Sequence, residues 1–153
     1  MNPIITRQRT RPQAAVGVAF AGALLTVFGA LLSWVSLTVL VAVSVRGYRT
    51  DEGKVALALG AVGLLTALVA FLARDGRALF ATAMAGVGAL IAEVVFAFRL
   101  HDAFAGAVAD GKDAEAVGEI VDGSLSLETG WVLALFGSLL MVGAGLWAAS
   151  RHR

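Results

Sequence analysis

One acid stands inside a long apolar run. Glu93 is the sole charged residue between Arg77 and Arg99, in the stretch Ala78 to Phe98. An isolated charge in such a run is costly, so a carboxyl there marks either a polar site or a structural hydrogen bond. In the first reading Glu93 holds a proton or a cation. In the second it bonds a neighbouring helix or pairs with Arg46, Arg49, Arg99 or His101, which fall near the same end of the run. At i, i+4 spacing Glu93 shares a helix face with Ala81, Ala85, Ala89 and Ala97. Rows of small residues are what close-packed membrane helices present to one another. Glu93 is therefore predicted to face protein.

Little else has reactive character. There is no Cys, which removes disulfides, thiolate chemistry and Cys-ligated metals. His101-Asp102 lies near Glu93 in sequence, but one His with two acids is a poor metal set. No nucleophile–His–acid combination, phosphate-binding loop or cofactor signature is visible. The expectation is a protein that is not an enzyme and carries no cofactor or metal.

The elements that must position Glu93 follow from composition. Apolar residues make up 59% of the 153-residue chain and charged ones 15%, against about 45–50% and about 25% in soluble domains. Four stretches are nearly free of charge: 14–33, 55–73, 78–98 and 130–150. Each approaches the ~20 residues that a helix needs to cross a bilayer's hydrocarbon. Polar stripes at helical spacing, which a buried soluble bundle would need, are missing.

The first stretch poses a problem of length. No residue from Ala14 to Val45 is charged, and one helix of that size would run about 48 Å. The pattern also changes at Trp34. Val35, Leu37, Val39, Val41, Val43 and Val45 alternate with Ser36, Thr38, Ala42 and Ser44, Leu40 being the exception. Period two with β-branched residues argues for extended chain. The helix is thus predicted to end near Ser33, with Trp34 as an interfacial anchor at headgroup level and Trp131 as a second. The extended segment can fold on itself as a hairpin or pair with Ser124-Leu125-Ser126-Leu127-Glu128, and a small sheet using both is the favoured reading. A long tilted first helix is the alternative.

Arginines set the orientation. Arg7, Arg9 and Arg11 precede the first span, Arg74 and Arg77 lie between spans two and three, and Arg151 and Arg153 follow the fourth. With four spans these all lie on one side, accompanied by the single acid Asp75. The other side carries most of the acids. Both termini are therefore expected to be cytoplasmic, and the first span reads as an uncleaved anchor. The arginines are accounted for by topology, so nucleic acid is not an expected partner. In the outer loop 99–129, His101 to Ala109 continues the third helix, and 113–121 reads as a short amphipathic helix.

The expected architecture is an all-α membrane protein, a four-helix transmembrane bundle with a small extracytoplasmic β element and a short outer amphipathic helix. It is one domain over 1–153. A cytoplasmic tail (1–13) leads into span one (14–33), an outer β segment (34–54), span two (55–73), a cytoplasmic loop (74–77), span three (78–98), the outer loop, span four (130–150) and a cytoplasmic end (151–153).

Three segments carry a resemblance: Gly29-Ala30-Leu31-Leu32-Ser33-Trp34-Val35-Ser36, Gly47-Tyr48-Arg49-Thr50-Asp51-Glu52-Gly53-Lys54 and Thr129-Gly130-Trp131. On these the chain resembles the small four-span membrane proteins of actinobacteria and haloarchaea, including those associated with tryptophan operons. That resemblance implies a location and a shape, not an activity. The topology is also similar to that of claudins, but the Cys pair of their first outer loop is absent, and Gly145-Leu146-Trp147 lies in span four. The functional expectation is an accessory, scaffold or assembly subunit of the cell membrane. Its partners are lipids and another membrane or envelope protein, or itself. The alternative is a small oligomeric transporter or channel using Glu93.

Overall fold

A computed structural model describes residues 11–38, 42–73, 76–109 and 125–150. Four helices and three short strands follow in the order α1 (Arg11–Leu31), β1 (Ser33–Thr38), β2 (Ala42–Arg46), a 3-10 turn (Gly47–Arg49), α2 (Asp51–Ala73), α3 (Gly76–Ala109), β3 (Leu125–Leu127) and α4 (Thr129–Ala149). All four helices are long and apolar enough to cross a membrane.

Each helix packs on two neighbours, α1 on α2 and α4, and α3 on α2 and α4, while the diagonals barely touch. One end of the bundle gathers Ala15 and Ala19 of α1, Ala70 of α2, Leu79 of α3 and Ala144 of α4. The other end gathers Ala30, Trp34, Val35, Ala56, Phe96 and Ala134. The helices thus run alternately up and down, with the sheet at one end and the start of α1 and the close of α4 at the other.

Size, not polarity, separates inside from outside. The buried positions of α2 are Gly53, Ala56, Gly60, Gly63, Ala67 and Ala70, a spacing of three and four that repeats every seven residues. Along α4 the same rhythm joins Gly130, Ala134, Gly137, Met141 and Ala144. Along α3 it joins Leu79, Thr82, Gly86, Ala89, Glu93 and Phe96. A seven-residue seam keeps neighbouring helices in contact through a gentle supercoil. The large apolar side chains point the other way: Phe28, Leu65, Phe71, Leu72, Phe80 and Leu146 are all exposed. Water would penalise such an exterior, whereas hydrocarbon solvates it.

Glycines allow the closest approach, between α1 and α4. A Cβ on Gly22 would lie 2.7 Å from the carbonyl oxygen of Gly137, and one on Gly137 2.6 Å from that of Gly22. One turn-pair further, Gly29 and Gly130 meet in the same way. Backbone touches backbone there, which only glycine permits.

The sheet has the order β2-β1-β3. β1 pairs antiparallel with β2, Ser36 opposite Ser44, and with β3, Ser36 opposite Ser126. Both expected pairings are present, and the long single first helix is not: α1 stops at Leu31. The register shifts between Ser33 and Val35. An extra residue in one strand re-aims its side chain, and Trp34 and Val35 are in consequence both buried.

Several expectations need correction. Trp34 is not an anchor on the exterior: its ring is fully buried, because the irregular register turns it inward. Ala81, expected on the same face as Glu93, points outward. α2 begins at Asp51, four residues before Val55, while α3 continues to Ala109 as expected. At 34 residues α3 is about 51 Å long, so it overshoots the ~30 Å of a hydrocarbon core. The expected outer helix over 113–121 lies outside the described residues, as do the tail 1–10 and the end 151–153.

The earlier start of α2 has a local cause. Thr50 Oγ1 accepts the Gly53 N–H at 3.0 Å, which caps the helix. Asp51 and Glu52 occupy the first turn, where acids suit the helix dipole. Thr50→Ala is expected to lower stability by about 1 kcal/mol, read as a drop in the thermal midpoint of the purified protein in detergent.

Candidate functional site

Polar groups inside the bundle are few, and most of them meet. Thr26, Thr82, Glu93 and Ser138 are the buried polar residues among those described, each fully inaccessible. Glu93 reaches from α3 to α4, where Ser138 Oγ donates to its Oε1 at 3.0 Å. Thr26 of α1 stands 3.4 Å from Ser138 Oγ. Both hydroxyls also donate to carbonyls four residues back in their own helices, Thr26 to Gly22 at 3.1 Å and Ser138 to Ala134 at 3.1 Å. Helical Ser and Thr commonly satisfy themselves in this way. Met141 closes the other side, its sulfur 3.8 Å from Thr26 Oγ1 and its terminal methyl against Gly63 of α2.

The helices position this cluster through the seam described above. Glu93 sits on the inward row of α3 because Ala89 and Ala85 lie one and two turns below it and are buried with it. Trp131 of α4, half-buried, fixes the register from the other side, its Nε1–H donating to the Glu93 main-chain carbonyl at 3.2 Å. The carboxylate is not fully satisfied: Oε2 is buried without a hydrogen-bond partner.

The bases expected near Glu93 are elsewhere. Arg99 bonds Glu52 across α3 and α2 at 2.6 Å, an exposed pair on the Arg99 side. His101 and Asp102 are exposed on α3. Arg46 and Arg49 flank Tyr48 instead, their guanidinium groups acting on its phenol. Among the described residues no three His, Asp or Glu gather to hold a metal ion. Thr26, Ser138 and Met141 were not anticipated. Their signal in the sequence was a place on the seven-residue seam, which the abundance of Ala and Gly conceals.

At the sheet end, Trp34 fills the space between α1, α3 and the 3-10 turn. Its Nε1–H donates to the Gly29 carbonyl at 3.0 Å, in the last turn of α1, which also accepts the Leu32 N–H at 3.2 Å. Its ring meets Phe96 edge-on, with centroids 4.9 Å apart. Gly47 is buried directly against the indole, where a Cβ would collide with it.

Tyr48 offers a clean titration. The guanidinium groups of Arg46 and then Arg49 hold its phenol below the ordinary value of 10.0. For an acid whose value falls on folding, any stabilisation is present above the unfolded value and disappears as pH falls through the folded one. The pair therefore contributes nothing at neutral pH. Tyr48 is the sole Tyr of the chain, so phenolate absorbance reports it alone. Alkaline titration is expected to give a midpoint below 10.0, moving back up in Arg46→Gln.

Comparison with protein families, with curated proteins and with solved structures finds no match to this chain.

Proposed function

We propose that this chain is a non-enzymatic, multi-pass protein of the cell membrane that serves as an accessory, scaffold or assembly subunit for another membrane or envelope protein. The membrane part of this reading is supported by the inverted bundle, with small residues within and Phe, Leu and Val on the outside. Lipids are then its solvent. The asymmetry of arginines supports cytoplasmic termini and a sheet on the outer side. The likeness to small four-span proteins of actinobacteria and haloarchaea agrees with that location.

The observation that carries the partner role is the edge of the sheet. Among the described residues β2 is paired on one side only, with β1. An open strand edge of five residues is a surface onto which another protein can add a strand. Lys and Arg often blunt such edges, and here Arg46 stands at one end of it.

The absence of native Cys makes the test simple. Ser44→Cys, exposed on β2, should cross-link in intact cells to one heterologous protein, whereas Ser150→Cys at the opposite end should not. An adduct of the chain with itself alone would defeat the partner reading. An impermeant thiol reagent should label Ser44→Cys and spare Ser150→Cys; the reverse would overturn the orientation. A second reading, a small oligomeric transporter or channel, draws on the unpartnered Glu93 oxygen. It requires a flux in proteoliposomes that Glu93→Gln abolishes.

A further inference from the structure

The interior of the bundle contains one ionisable side chain. Between Gln13 and Leu31 of α1, Val55 and Ala73 of α2, Ala78 and Phe98 of α3, and Thr129 and Ala149 of α4, Glu93 is the only titratable residue. The elements packed around it offer hydroxyls, a thioether and carbonyls: Thr26 from α1, Ser138 from α4, Met141 beside them, and no cation. Arg99 of the same helix is paired with Glu52 of α2.

Proton accounting shows what the cluster lacks. Two hydroxyl hydrogens serve three kinds of acceptor: the carbonyls of Gly22 and Ala134, the Met141 sulfur, and Glu93 Oε1. A carboxylate has about four lone-pair positions, and at most one hydroxyl donor reaches this one. A proton added to Oε1 can be passed toward Ser138, but Oε2 then remains a bare buried acceptor. As the structure stands, Oε2 is a buried polar atom without a hydrogen-bond partner, which is rare and costly. A cation held by both carboxylate oxygens satisfies the two at once. When Ser138 and Thr26 turn their hydrogens to Ala134 and Gly22, their oxygens face inward with free lone pairs.

We propose that Glu93, Ser138 and Thr26 form a buried site for one alkali-metal cation, sodium-sized, held by the two carboxylate oxygens and the two hydroxyl oxygens. The ligand set is all oxygen, as hard cations require, and its single carboxylate matches one positive charge; divalent sites draw on more acids. Binding exchanges charge one for one: a protonated Glu93 takes up the cation and releases its proton to solvent. The site does not depend on a protein partner. It would persist in the isolated chain whether or not the edge of β2 binds anything.

The test is infrared difference spectroscopy of the full-length protein in detergent, wild type minus Glu93→Gln, so that bands of this carboxyl are isolated. At fixed pH, sodium chloride is added against choline chloride of equal ionic strength. The expected result is loss of the acid C=O stretch and growth of carboxylate bands as sodium rises, with half-saturation shifting to higher sodium at lower pH. A spectrum that responds to pH alone, or to neither, overturns the proposal. Because Glu93→Gln can perturb folding, Ser138→Ala provides a second measurement with the carboxyl retained. Removal of one oxygen ligand should raise the half-saturating sodium concentration by about tenfold. An unchanged value would remove Ser138 from the site and sink the arrangement as drawn.

Discussion

Gly137→Ala is expected to destabilise the protein by about 3 kcal/mol, the cost of forcing a methyl into a filled core. The added carbon would lie 2.5 Å from the Thr26 amide nitrogen and 2.6 Å from both the Gly22 carbonyl and Thr26 Oγ1. Two of those neighbours are backbone atoms of α1, which cannot rotate aside. The helices must separate, and in separating they pull Thr26 away from Ser138. Gly143→Ala is the control, on the same helix but with open space around it. It should be neutral or gain up to about 1 kcal/mol from helix propensity. Thermal unfolding in detergent compares the two, and equal midpoints would show that the α1–α4 contact is looser than described.

Trp34→Ala should cost about 3–5 kcal/mol, as large-to-small changes in a closed core do. Trp34 heads the largest fully buried side chains. Its loss empties the space beneath Gly47 and removes the Phe96 edge contact and the bond to Gly29. Trp34→Phe separates these contributions: it keeps apolar volume and loses the N–H, for which about 1 kcal/mol is the usual effect. If Trp34 were an anchor on the exterior, Trp34→Ala would be nearly silent in a thermal scan. A silent result would also remove the reason for the shifted register.

The order of the elements was legible because it rests on coarse signals. Runs without charge, closed by Arg74, Arg77 and Arg99, mark helix positions whichever face is inside. The alternation from Val35 to Val45 marks the strands in the same way. What could not be read is which side of an element faces in once the regular period is broken. Trp34 follows an apolar run and precedes an alternating one, so a surface and an interior position look alike until the register shift is seen. Glu93 was placed on its inward face through the Ala row, but its partner was not found. Hydroxyls such as Ser138 and Thr26 are common in apolar helices and bond their own carbonyls, so their types carry no notice of a cross-helix role. Arg99 and His101 were nearer in sequence, but α3 carries them to the end of the bundle, and Arg46 and Arg49 lie in β2 and the 3-10 turn.

The narrow waist between α1 and α4 has one more effect. Gly and Ala have no side-chain rotamers to freeze, so bringing these helices together forfeits almost none of the torsional freedom that Leu or Phe would surrender on confinement. The residues that do possess such freedom, among them Phe28, Leu65 and Phe136, remain on the periphery with their motions intact. Outer positions should therefore tolerate exchange among Leu, Val, Ile and Phe in a saturation scan, while Gly22, Gly29, Gly130 and Gly137 accept nothing else.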